Sequence, residues 1–235
     1  MQREEEHITG GSKIRSIILG LNDGLISTFT LLVGIAAATL ASTGNNAIII
    51  LTGFAAMVSG AISMGLGEYI SSKSEFNYIK NEMRREKAEI ELFPEEEKEE
   101  VRDIFRKMGI KGKLLDSIVV AITSDKEAWL DFLIKSELGL EEPESPVVGA
   151  ILTFFSFIIG AFITLFPYLL NLGLISLLIS SVISFSMLFI TGALKTIITG
   201  ENKLKSGLEM VLVGAIAFIA SYSIGTYLEQ LIPSV

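Results

Sequence analysis

Asp23 is the one charged residue between Ser16 and Leu40. A carboxylate at the middle of a membrane helix costs about 2.5 to 3.5 kcal/mol on translocon scales, so an ionisable group placed there marks a functional site. It follows Arg15 by eight positions, which on a helix puts it about 12 Å deeper. Ser16, Gly20, Ser27 and Thr30 share its face at helical offsets, with Asn22 adjacent, and that face is small and polar enough to line a passage. A second apolar run carries Met57, Met64 and Glu68. Methionine in an apolar helix is ordinarily core filler or lipid-facing. Beside a carboxylate of a neighbouring helix, however, a thioether suits a borderline transition metal, because Mg²⁺ and Ca²⁺ want all-oxygen shells. A carboxylate also carries a proton that metal binding must expel, which couples the two ions at one site.

These residues need membrane helices to hold them. Half of the 235 residues are hydrophobic and a fifth are charged, and the two kinds are segregated. Gly24 to Ser72 contains only Glu68 as a charge, whereas Lys73 to Glu144 is dense in charge. Five segments, roughly 14–40, 47–70, 147–167, 171–195 and 206–232, reach the ~20 apolar residues that a span requires. No alternating barrel pattern is present, so the expected fold class is an all-α integral membrane protein. It has five transmembrane helices and a small helical cytoplasmic insert between spans two and three. The expected divisions are a tail at 1–13, spans one and two at 14–70, the insert at 71–146 and spans three to five at 147–235. Within the insert, "SSKSEFNYIKNEMRREKAEIELF" extends span two with Phe76, Ile79, Met83 and Ile90 as an apolar stripe, and Pro94 ends it. "PEEEKEEVRDIFRKMG" then opens on proline and acids and closes on glycine, the start and stop signals of another helix. On span two, Gly53, Gly60 and Gly67 recur every seven residues with Ala56 and Ser63 nearby, a seam where another helix backbone can approach closely.

All nineteen Lys and Arg residues fall on one side of this five-span arrangement. The positive-inside rule therefore places the N-terminus, the insert and the 196–205 link in the cytoplasm and the C-terminus on the far side, without distinguishing a vacuolar from a plasma membrane. Residues 71–146 hold nineteen acidic against thirteen basic side chains, and the whole chain carries −8. Such a balance excludes nucleic acid as a partner and makes a divalent cation the simplest small one. There is no cysteine, and the one histidine, His7, lies in the polar tail, which is not read as a cleaved signal. With no paired nucleophile and base and no phosphate loop, neither an enzyme nor a tightly bound cofactor is expected.

"LGLNDGLISTFTLLVG" in span one, "AISMGLGEYISSKSE" in span two, "WLDFLIKSELGLEEP" in the insert and "ITGALKTIITG" in span four resemble the vacuolar iron transporter family. The resemblance runs from about residue 11 to 230 with spans and insert in the same order. It implies a homodimeric transporter that moves Fe²⁺ and related divalent metals out of the cytosol, in many members in exchange for protons, along a pathway between the subunits lined by spans one and two. Asp23 and Met64 match the family's membrane metal site, with Glu68 on the way to it. The family's insert captures metal with glutamates, which here are Glu86, Glu89, Glu97, Glu100 and Glu137. Spacing agrees, since Glu86 with Glu89 and Glu97 with Glu100 are one helical turn apart on either side of Pro94. Two departures matter for metal choice: Leu133 and Ile134 replace a methionine pair of the plant members, and Ala56 replaces a glutamate. An all-carboxylate insert takes Mn²⁺, Zn²⁺ or Co²⁺ as readily as Fe²⁺. Met83, near Glu82 and Glu86, could substitute as a soft ligand.

Two rivals stay open at this level. The chain is alternatively a membrane-anchored metal-binding or buffering protein without transport, or a structural oligomer in which Asp23 bonds across a dimer seam. An anchor has no use for a carboxylate in mid-membrane, which favours a transporter.

Overall fold

Every described element is an α-helix in the computed structural model, which describes residues 11–43, 46–136, 138–139 and 145–231. In chain order these are α1 (Gly11–Thr43), α2 (Ala47–Leu92), α3 (Pro94–Lys107), α4 (Lys113–Thr123), α5 (Lys126–Ser136), α6 (Pro146–Leu169), α7 (Leu174–Thr199) and α8 (Lys203–Leu231). Five of them, α1, α2, α6, α7 and α8, are long and apolar enough to cross a membrane. This is the all-α integral membrane architecture expected from the hydropathy pattern. The chain divides into two compact units: one holds residues up to Tyr69 and from Val147 onward, the other Ile70–Pro146. Helix α2 contributes to both.

The membrane unit has its core where α1, α6 and α7 meet. Phe29, Leu32, Val33, Leu165, Tyr168 and Leu177 form one apolar cluster, and Met57, Ala61, Phe157 and Ala161 form another. Close helix approach is bought with glycine. A Cβ on Gly20 or Gly24 of α1 would strike the carbonyl oxygen of Thr153 or Phe157 on α6, and one on Gly160 would strike the α1 backbone in return. The seam on α2 works differently from its expected role. Gly53 and Gly60 receive the side chains of Leu165 and Phe157, and Gly67 has nothing within 4 Å. Gly53 and Gly60 are thus holes for knobs of the same chain, while Gly67 faces open space. Pro167 lies inside the last turn of α6 rather than in the link, and the turn that follows uses Asn171 and Gly173 at positive φ.

The second unit is a small helical domain with its own core. Ile90 from α2, Val101 from α3, Leu115 and Val119 from α4, and Trp129 and Leu133 from α5 close it, and Phe105 stacks on Phe132 at 5.3 Å. Local signals set its helices. Pro94 opens α3, Glu95, Glu96 and Glu97 occupy its first turn and Arg106 and Lys107 its last, which complements the helix dipole at both ends. Gly109 follows with φ 92°, a conformation that favours glycine. Asp125 caps α5 by accepting the Glu127 N–H at 2.8 Å.

Candidate functional site

In the membrane unit, Asp23 is half-buried on α1, and among the described residues its carboxylate has no hydrogen-bond or ion-pair partner. The hydroxyls expected on its face are spent elsewhere. Ser27 donates to the Asp23 carbonyl and Thr30 to those of Ile26 and Ser27. Ser16 and Gly20 turn away into contact with α6. The polar face read from the sequence is thus split, because the helix rotates its small residues toward the nearest backbone. Met64 packs at the edge of the Met57–Phe157 cluster, while Met57 is core. Glu68 accepts a hydrogen bond from Ser16 at 3.0 Å, and a Cβ on Gly149 would lie 3.1 Å from its Oε1. It therefore ties α2 to α1 against the first turns of α6.

The carboxylates of the second unit converge. Glu86 on α2 and Glu97 and Glu100 on α3 each place an oxygen within 4.8 Å of the other two. Pro94 makes this possible, since it ends α2 and starts α3 so that the two helices face one another across the turn. Glu86 and Glu97 are only 3% and 5% exposed, and Glu86 Oε1 and Glu97 Oε2 lack hydrogen-bond partners. Burial, followed by the negative charges of Glu100 and Glu86, pushes the Glu97 carboxyl up to about 8. Burial also raises Glu86, against a hydrogen bond from Glu97 that favours its charged form. Near neutrality the pair thus shares a proton, with Glu97 the donor.

Neighbouring acids differ in being matched by cations. Lys98 lies 2.8 Å from Glu95, Arg106 2.7 Å from Glu99 and 2.9 Å from Asp103, and Lys126 4.0 Å from Glu91. Glu89 lies near enough to Glu86 and Glu97 to raise both, but it stays outside the three-carboxylate group and pairs with Arg85 at 3.8 Å. Glu137 lies outside the described residues. Uncompensated, buried and convergent carboxylates are what a divalent cation needs, and charge pairing rather than sequence position separates them from solvated surface.

The positions of the absent methionine pair are core. Leu133 is fully buried against Ile90 and Trp129, and Ile134 is 6% exposed. Met83 and Ile134 line a cleft of about 600 Å³ that also carries Lys87, Lys126 and Lys135. Glu91, Glu127 and Asp131 line the same cleft, so its three ammonium groups are matched in number by three carboxylates.

Five membrane-crossing helices with a carboxylate inside one of them, and a helical domain that gathers buried glutamates, define a multi-pass membrane protein built around acidic side chains. The chain belongs to the VIT family, whose model matches residues 14–226. It is 37% identical over 229 residues to "Vacuolar iron transporter 1" of Arabidopsis thaliana, covering 96% of this chain and 90% of that one. It is 35% identical over 224 residues to "Vacuolar iron transporter" of Centaurea cyanus, covering 94% and 90%. A relative of the same name in Toxoplasma gondii is 28% identical over 243 residues, covering 98% and 79%. The resemblance drawn from the motifs of the spans and insert is borne out.

Proposed function

We propose that this chain is a divalent-metal transporter that carries Fe²⁺, and Mn²⁺ as a second substrate, out of the cytosol in exchange for protons. The observation that supports it most is the group of Glu86, Glu97 and Glu100, two of them almost fully buried and none within ion-pair distance of a cation among the described residues. Family membership and relatives named as vacuolar iron transporters agree with it. In this reading the insert collects metal on Glu86, Glu97 and Glu100, with Glu89 and Glu137 at its margin. Glu68 passes the ion to Asp23 and Met64, which form the membrane site together with a second copy of the chain. The N-terminus and insert are cytoplasmic and the C-terminus lies on the far side. Asp23 exchanges its proton for the metal, since a carboxylate must be deprotonated to bind one. Zn²⁺ and Co²⁺ compete at an oxygen-only insert site.

Proteoliposomes loaded with a metal-quenched dye test this. Fe²⁺ flux driven by a pH gradient is expected in the wild type and absent in Asp23→Ala; unchanged flux in the variant overturns the role of Asp23. Because the three glutamates lie within one unit, metal buffering without transport is the second reading, and it predicts binding with no flux at all.

A further inference from the structure

Ser16 and Glu68 form a rung between α1 and α2, and its depth can be set against that of the membrane residues. The Ser16 hydroxyl donates to Glu68 Oε1, and a Cβ on Gly53 would meet Leu32 at 3.0 Å. From the first contact to the second, α1 advances sixteen residues while α2 goes back fifteen, so the two helices run antiparallel in a single register. Met64 precedes Glu68 by four positions and Asp23 follows Ser16 by seven, which sets them about 6 and 10 Å deeper than the rung. The rung thus lies between these two residues and the end of the membrane unit where α2 leaves it.

Three helices meet on this bond. Ser16 is 4% exposed, and its own carbonyl accepts the Thr153 hydroxyl of α6 at 3.4 Å. Gly149, in the first turn of α6, lies flush against the pair. A Cβ there would stand 3.1 Å from Glu68 Oε1 and 3.3 Å from Ser16 Oγ, the two atoms of the bond. Any larger residue at 149 therefore presses on donor and acceptor together. A helix hydroxyl commonly bonds within its own helix, and Ser27, Thr30 and Thr52 each donate to the carbonyl one turn back. Ser16 reaches a carboxylate on another helix. Such a charge-assisted bond fixes the direction in which the carboxylate oxygens point.

We propose that Ser16 is the positioning residue of Glu68, with Gly149 as the clearance that lets the pair form, so that Glu68 meets an incoming divalent cation as an oriented ligand. The inference rests on the transport reading above, in which Glu68 hands the ion to Asp23 and Met64. A carboxylate already held by a partner loses less freedom when it binds a metal. Removing such an outer partner typically weakens metal binding about 10- to 100-fold. The effect belongs to entry of the ion. It is expected in KM and not in kcat, since Asp23 and Met64 lie deeper and are untouched.

Fe²⁺ flux into proteoliposomes, followed over a range of Fe²⁺ concentrations, separates KM from kcat. Ser16→Ala is expected to raise KM about tenfold while kcat stays within about twofold. Gly149→Ala displaces the pair with both partners still present, and is expected to raise KM as well. Glu68→Gln keeps an acceptor for Ser16 and loses the charged ligand. Adding Ser16→Ala to it is expected to change KM no further, because Ser16 acts only through Glu68. If Ser16 merely ties two helices, Ser16→Ala lowers Tm and leaves KM within about twofold of the wild type. That result, with KM still raised in Glu68→Gln, overturns the positioning role and leaves the transport reading intact. An unchanged KM in Glu68→Gln removes Glu68 from the route, and the inference falls with it. A further rise of about tenfold in the double variant also overturns it, since Ser16 would then act by a path of its own.

Discussion

In the proposed metal site Glu97 stands out because it is a buried acid among acids. Its carboxyl is held protonated up to about 8, by burial first and then by Glu100 and Glu86, so a metal entering the group must displace that proton. Apparent affinity for Mn²⁺ is therefore expected to climb about tenfold per pH unit up to that value and flatten above it. Isothermal titration across pH 6 to 9 measures this; a flat profile removes Glu97 from the site. The same shift fixes the sign for stability. Between its ordinary value of 4.5 and about 8 the folded chain holds a proton that the unfolded chain has lost, so the metal-free insert becomes less stable as pH rises through that window and levels off above it. Trp129, the chain's one tryptophan, is buried in the insert core and reports its unfolding by urea directly. Glu97→Gln keeps a donor for Glu86 while removing a ligand; it should weaken Mn²⁺ binding about tenfold or more, some 1.4 kcal/mol, and abolish the slope. Glu95→Gln, at an exposed pair with Lys98, should leave affinity within about twofold. Their sequence contexts are almost alike, and burial and the cations around them differ.

Among the helices, the glycines separate into those that permit contact and those that do not matter to it. Gly24 lies directly against the Phe157 backbone, whereas Gly67 has open space. Gly24→Ala is expected to cost about 1 to 3 kcal/mol through overpacking against a carbonyl that cannot swing aside. Gly67→Ala should leave the protomer as stable as before or improve it by up to about 1 kcal/mol, since alanine favours a helix. Thermal unfolding of the purified variants in detergent compares them. Equal losses would mean that α1 and α6 approach less closely than their backbones indicate. The period of seven on α2 was legible in the sequence, but what it accommodates was not. A glycine hole is filled by whichever neighbour arrives, here Phe157 and Leu165 of α6, and helix order along the chain does not say which that will be.

For the molecule as a whole, the division into two units predicts that collecting metal and moving it are separable. The convergent glutamates lie in the Ile70–Pro146 unit and Asp23 in the other. Asp23→Asn is expected to bind Mn²⁺ in the insert with unchanged affinity while its flux into proteoliposomes falls to background. Parallel loss of binding and flux in this variant would tie the two sites into one and count against sequential transfer.

Hydropathy, charge placement and helix signals were enough to determine five membrane helices and a helical insert, because these are written in residues a few positions apart and answer to a single solvent boundary, while the family was carried by the resemblance of motifs in the spans and insert. The glutamates of the insert were candidates through the family resemblance, with which their one-turn spacing about Pro94 agrees. Which of them converge, and how Ser16 leaves Asp23's face to meet Glu68, were decided only by the tertiary structure. Burial and pairing belong to contacts between helices far apart in the chain, and a single helix cannot specify what its neighbour presents to it.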